Sequence, residues 1–132
     1  VGLSGLKSLK LKAMAMSDRM ILSKFRSKEV DVPDDADRVI YICCKAIGLS
    51  ENAVSDCYKG GIRANFKNLV RWALYNHCEM TKAEIGLKLH HERTTVINGL
   101  KAFEDNLEVD DFISSAMVER FYRQVIKEEK RK

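Results

Sequence analysis

Between Thr81 and Lys101 the chain sets charged and hydrogen-bonding side chains on a helical rhythm. Thr81 followed by Glu84 is the capping-box arrangement, in which each side chain satisfies a backbone donor left open at a helix start. Ala83, Ile85, Leu87 and Leu89 give the short helix beginning there its apolar positions, Gly86 permits close approach of another helix, and the pattern breaks at His90 and His91. Val96, Ile97, Leu100 and Phe103 then form the inner face of a second helix, leaving Arg93, Thr94, Thr95, Asn98 and Lys101 outward. The chemistry open to such a helix end is recognition. Arginine bonds guanine edges, a threonine methyl meets a thymine methyl, and hydroxyls bond phosphates or bases. The pattern fits a helix-turn-helix over 81–103 that reads duplex DNA, and an ordinary helical hairpin with a polar outer face fits it too.

Covalent chemistry has no comparable set. Cys78 follows His77 directly and is not arranged with it as nucleophile and base, while Asp34, Asp35 and Asp37 read as helix-start acids. His77, Cys78, His90 and His91 match no standard zinc spacing. The expectation is a protein with no catalytic residues, metal or cofactor. His90 and His91, as donors in a turn adjoining a polyanion, are expected to titrate near neutral pH and to strengthen binding on mild acidification.

Charge is distributed unevenly. The net charge is +4, but residues 59–101 hold eight basic residues (Lys59, Arg63, Lys67, Arg71, Lys82, Lys88, Arg93, Lys101) against Glu79, Glu84 and Glu92. Residues 31–58 lean the other way, with six acids against Arg38 and Lys45. A polyanion partner for the middle of the chain and a merely solvated charged face are both consistent with this. The four cysteines, Cys43, Cys44, Cys57 and Cys78, lie among apolar neighbours without a C-x-x-C pair, as free core thiols in a reducing cytosol do. No apolar run approaches a membrane span, so the expected location is cytoplasmic.

With 132 residues, 45% of them hydrophobic, one proline and seven glycines, the chain suits a single all-α domain. Residues 1–30 read as a basic N-terminal arm, disordered or foreign to the native gene, and 31–132 as the helical domain. Acids at 34–37 start a helix whose face is Val39, Ile40, Ile42, Cys43, Ala46 and Ile47 and which stops at Gly48. Ser50 is the expected cap of a short helix through Ala53, Val54 and Cys57, followed by a basic loop from Tyr58 to Asn65 carrying Lys59 and Arg63. A longer helix is predicted from Asn65 to Cys78 on the stripe Phe66, Leu69, Val70, Ala73, Leu74 and His77, with Lys67 and Arg71 off the stripe. Trp72 and Tyr75 flank it as core or boundary aromatics. A closing helix over 111–128, with Ile113, Met117, Phe121 and Val125 on one face, packs on the domain or docks a protein partner.

The segment Thr81-Lys82-Ala83-Glu84-Ile85-Gly86, then Leu89, then Glu92-Arg93-Thr94-Thr95-Val96 resembles the C-terminal domain of the bacterial replication initiator DnaA, with its S-L-P-E-I-G, F and D-H-T-T-V signature. The likeness runs back through Lys67-Asn68 to Lys59 and covers about 39–107. It implies a Trp-repressor-like or DnaA domain IV-like fold in which Lys59 enters a minor groove and Thr81 and Lys82 touch phosphates. Lys67 and Asn68 would add backbone contacts, and Glu92, Arg93, Thr94 and Thr95 would read bases. Two departures carry meaning. The family's G-G-R-D-H becomes His90-His91-Glu92-Arg93, one residue shorter, which implies a preferred box of its own. A G-x-x-x-x-G-K-[ST] phosphate loop is absent, as in a stand-alone or excised DNA-binding domain of the kind a phage or mobile element carries. The expected function is sequence-preferential binding of double-stranded DNA by a nucleoid-associated monomer in replication initiation or its regulation, without ATPase activity. The alternatives are a transcriptional regulator and a helical adaptor that binds protein.

Overall fold

Asp35 opens the first helix of the computed structural model, its carboxylate accepting the Arg38 N–H at 3.3 Å, and Gly48 closes it at φ 82°, the left-handed conformation a glycine takes without strain. Between them runs α1 (Ala36–Ile47), followed by α2 (Asn52–Ser55), α3 (Gly61–His77), α4 (Lys82–Leu89), α5 (Arg93–Glu108) and α6 (Phe112–Lys130). The structure describes residues 31–55 and 61–130, and among them all regular structure is helical. The protein is a small all-α domain over these residues. The N-terminal arm, Cys57 and Lys59 lie outside the described residues.

The central helix, α3, packs against every other helix. It does so because its apolar residues recur at three- and four-residue intervals: Phe66, Leu69, Val70, Ala73 and Leu74 are all fully buried. Trp72, 1% exposed, is the hub of an aromatic cluster. The rings of His77, Phe103, Phe121 and Tyr122 lie 5.6, 6.0, 6.2 and 6.1 Å from it, mostly edge-on. His77 also stacks on Phe121 at 5.9 Å, and its Nε2 lies 3.1 Å from the Tyr122 hydroxyl, so the one buried imidazole of the core has a polar partner. Trp72 serves the core and offers no stacking platform to a nucleic acid.

The closing helix α6 starts where Asp111 accepts the Ser114 N–H at 3.1 Å. It buries Ser114, Met117, Val118, Phe121, Tyr122, Val125 and Ile126, chiefly against α1. Ile113 lies outside this face, 51% exposed. Met117, Phe121 and Val125 of the expected stripe are buried as the sequence placed them, and the buried face is broader than that stripe, taking in Ser114, Val118, Tyr122, whose ring lies 6.1 Å from Trp72, and Ile126. At its far end Glu128, 5% exposed, is satisfied on both oxygens, by Arg38 Nη2 at 2.9 Å and Gln124 Nε2 at 2.8 Å.

Further details differ from the sequence reading. α3 begins at Gly61 instead of Asn65, so Arg63, expected in a loop, sits in a helical first turn. No residue between Gly61 and Asn65 opposes a helix. α2 is described over Asn52–Ser55, its expected continuation to Cys57 lying outside the described residues, and Ser50 supports it through its carbonyl, which accepts the Ala53 N–H at 3.0 Å. Lys67 and Arg71, expected outside the stripe, are buried at 8% and 7% exposure.

Candidate functional site

The capping box is formed. The Glu84 N–H donates to Thr81 Oγ1 at 3.1 Å and the Thr81 N–H donates to Glu84 Oε1 at 2.9 Å, and these bonds hold the Glu84 carboxyl below its usual range. From this anchored start α4 turns Ile85, Gly86 and Leu89 inward, while Ala83 and Leu87, which the sequence placed among its apolar positions, are exposed, Leu87 by 80%. Lys82 Nζ lies 5.7 Å from the centre of the Tyr75 ring, a cation–π contact that ties the start of α4 to α3. Lys88 pairs with Asp37 at 2.6 Å, which removes it from the open cations.

α4 ends at His90, whose backbone is left-handed at φ 60°, and its N–H returns to the Gly86 carbonyl. The His91 N–H bonds the same carbonyl at 2.9 Å. The turn to α5 therefore has three residues, His90, His91 and Glu92. A side chain at Gly86 has no room, because a Cβ there would stand 2.8 Å from the His91 carbonyl oxygen. Gly86→Ala is expected to cost about 1–3 kcal/mol through that overlap with backbone. Urea denaturation checks it, and an unchanged midpoint would mean that the turn can shift freely.

Behind the turn lies a polar network that ties α2, α3 and the turn into one unit. Arg71 Nε donates to His91 Nδ1 at 3.1 Å, Arg71 Nη1 donates to Asn68 Oδ1 at 2.6 Å, and His91 Nε2 lies 2.7 Å from the Val54 carbonyl oxygen. Because that oxygen can only accept and the Arg71 N–H can only donate, His91 carries its one proton on Nε2, leaves Nδ1 as an acceptor and is neutral. Burial pushes the His91 pKa down from 6.5; the bond to Val54 opposes this, and the charges of Arg71, Lys67 and His90 push the same way as burial. Gly99 of α5 lies against this network: a Cβ on it would come within 2.4 Å of Arg71 Nη1 and 2.5 Å of Asn68 Oδ1. Ser55 Oγ adds a bond to the Leu89 carbonyl at 2.9 Å, fastening α2 to the end of α4.

The sequence-predicted residues thus divide into two groups. Thr81, Glu92, Arg93, Thr94, Thr95, Asn98 and Lys101 are exposed, Lys82 is half-buried at the start of α4, and His90 is exposed in the turn. Val96, Leu100 and Phe103, with Leu107, hold the opposite face of α5 in the core. Glu92 stands at the N-cap of α5 without a side-chain bond to it, and no acid follows in the first turn, so the positive end of the helix meets solvent beside Arg93 and Thr94. The second group points inward. Lys67 is buried, Asn68 gives its side-chain oxygen to Arg71, and His91 has both ring nitrogens engaged inside the domain. The expected outward donor role of His91 is corrected on that ground, and with it the expectation that its protonation strengthens binding. Arg63 is half-buried in the first turn of α3.

Sequence reasoning missed Arg71 as the residue that positions the turn. Its signal was Gly99, a glycine in the middle of a helix with no turn to explain it.

Burial raises the Cys43 thiol well above its usual range, and burial with the Glu51 charge pushes Cys44 up to about 11, so both stay protonated. Among the described residues no group of three His, Cys, Asp or Glu side chains is placed to hold a metal ion, and no helix is long and apolar enough to cross a membrane. The site belongs to a small all-α domain whose two helices, α4 and α5, meet at a three-residue turn braced from behind. No protein-family model, curated protein or solved structure matches the chain.

Proposed function

We propose that this domain binds double-stranded DNA with sequence preference, using α4, the turn and α5 as a helix-turn-helix without catalysis, in replication initiation or its regulation. The observation that carries the reading is the exposed first turn of α5. Arg93, Thr94 and Thr95 stand open on a helix whose inner face is packed and whose entry is fixed by Gly86, His91 and Arg71. That combination meets what base reading requires, donors and methyls held rigidly at a helix start. The resemblance of 81–96 to the DnaA signature supports the same assignment. Thr81 and Lys82, at the start of α4, take the phosphate role; Arg93, Thr94 and Thr95 take the base role, with Glu92, Asn98 and Lys101 at its margin. A monomer on its own box, associated with the nucleoid, is the form this reading implies.

Two substitutions separate the roles. Lys82→Ala is expected to weaken binding to all duplexes alike and to make the slope of log K against log salt shallower by about 1. Arg93→Ala is expected to cost about 1–3 kcal/mol on the preferred sequence and little on others. Fluorescence anisotropy over a range of salt concentrations with preferred and scrambled duplexes reads both; if both variants lose affinity equally on every duplex, Arg93 reads no base. A protein-binding adaptor is the second reading, favoured by one observation: Val109, Phe112 and Ile113 are exposed together at the corner between α5 and α6.

A further inference from the structure

The corner that joins α5 to α6 is built to keep apolar side chains outside. Its backbone is tied throughout: the Val109 N–H donates to the Asp105 carbonyl at 3.3 Å, Asp110 N–H to Leu107 at 3.1 Å and Asp111 N–H to Asn106 at 2.8 Å. Asp110 accepts the left-handed conformation at φ 55°, which is unfavourable for a residue with a side chain, and its carboxylate takes the Ser115 hydroxyl at 2.8 Å. Asp111 caps α6 through Ser114. On this fixed frame Val109 is 77% exposed, Phe112 84% and Ile113 51%. Three large apolar side chains held together in water on an ordered corner mark a contact surface, whereas scattered single ones need no explanation.

The surroundings specify the partner. From Lys101 to Arg120 no lysine or arginine intervenes, while Glu104, Asp105, Glu108, Asp110 and Asp111 fall in that stretch, together with Glu119, which Arg123 pairs at 2.8 Å. Burial raises the Glu104 pKa, the Lys82 charge opposes this, and the charges of Asp105 and Glu108 raise it further, so the acids at this end of α5 already repel one another. DNA and anionic membranes meet repulsion here. The footprint is also small, a few side chains against the roughly 800 Å² per partner of a standard protein interface, which suits a short segment and not a second copy of the domain. α5 has 16 residues, so about 24 Å separate this corner from the Arg93 end and a partner here leaves the α5 start open.

We propose that the α5–α6 corner docks a short basic segment of a partner protein, its apolar residues on Val109, Phe112 and Ile113 and its lysines or arginines on Asp105 and Glu108. The assignment is independent of whether α5 reads DNA.

The test titrates the full chain into a fluorescently labelled synthetic peptide of alternating leucine pairs and lysine pairs, with an otherwise identical peptide carrying glutamates for lysines. The lysine peptide is expected to bind and the glutamate peptide not. The double variant Phe112→Ser, Ile113→Ser and the double variant Asp105→Lys, Glu108→Lys are each expected to weaken binding at least tenfold. Leu87→Ser, at an equally exposed leucine on α4, is expected to leave it unchanged. All four side chains in the double variants are exposed, and far-ultraviolet circular dichroism confirms that the variants remain folded. Absence of binding, equal binding of the two peptides, or binding indifferent to both double variants overturns the proposal. So does self-association of the protein in sedimentation that disappears in Phe112→Ser, Ile113→Ser, which would make a second copy the occupant.

Discussion

Trp72→Ala is expected to lower the free energy of unfolding by about 3–5 kcal/mol, a large share of the 5–15 kcal/mol typical of a domain this size. The indole is 1% exposed and is the meeting point of α3, α5 and α6, touching Phe103 on one side and Phe121 and Tyr122 on the other. Its removal deletes the apolar transfer term and also leaves a cavity whose walls are rings on three separate helices, which cannot close together without moving α5. Phe121 and Tyr122 keep their mutual contact at 5.4 Å, so the collapse is partial. Equilibrium unfolding in urea measures the effect. A loss below about 1 kcal/mol would mean that the aromatic cluster is far looser than these centroid distances describe.

Arg71→Met is expected to destabilise by about 1–3 kcal/mol, because the methionine keeps the apolar stem but leaves the Asn68 oxygen and His91 Nδ1 without their shared donor. The same network carries a pH signature. His91 has a folded pKa below 6.5, so in the unfolded chain it binds its proton at higher pH. Stability from this group is fully present above about pH 6.5 and falls as the pH drops through the interval down to the folded pKa. A proton arriving on Nδ1 would face the Arg71 N–H and could not be accommodated. Comparing unfolding at pH 7.5 and pH 5.5 in the native protein and in His91→Asn isolates this part, since carboxylates titrate in both. The variant should show the smaller loss on acidification. An equal loss in the two proteins would place the proton elsewhere.

The helix ends that rest on local chemistry were legible in the sequence. Asp35, Gly48, Thr81 with Glu84, and the acids before Phe112 all stand where caps belong, because a cap is a contact between residues a few positions apart. The outward set on α5 was legible for a similar reason: Val96, Leu100 and Phe103 define one face, and Arg93, Thr94, Thr95, Asn98 and Lys101 fall on the other. What failed was whatever depended on a distant partner. Arg71 looks like a surface cation until His91, 20 residues on, arrives to accept from it. Lys67 on the same helix follows it inward. On α6 the stripe Met117, Phe121 and Val125 was legible, but Ile113 is exposed and Tyr122, which meets Trp72 of α3, joins the buried face through a partner 50 residues away. The end of α4 carries no glycine, and His90 takes the left-handed conformation itself.

These corrections narrow the candidate surface. With Lys67, Asn68 and His91 turned to internal tasks and Lys88 paired with Asp37, recognition in the proposed reading rests on the starts of α4 and α5. A rigid inner face matters for such a reader, since an error of 1 Å in the position of an arginine loses a bidentate contact with a base. In that reading the His91 bridge between Arg71 and Val54 would act only through position. It ties the turn before α5 to α2 and α3.

Selection of the folded protein against a pool of random duplexes at low salt, repeated with Arg93→Ala, tests the central claim most directly. The proposed function predicts that the native protein enriches a defined sequence, that its affinity for that sequence falls steeply as salt rises, and that Arg93→Ala still retards duplex DNA but no longer enriches the sequence. A folded native protein that retards no duplex at low salt, or that enriches the same sequence with and without Arg93, would contradict it.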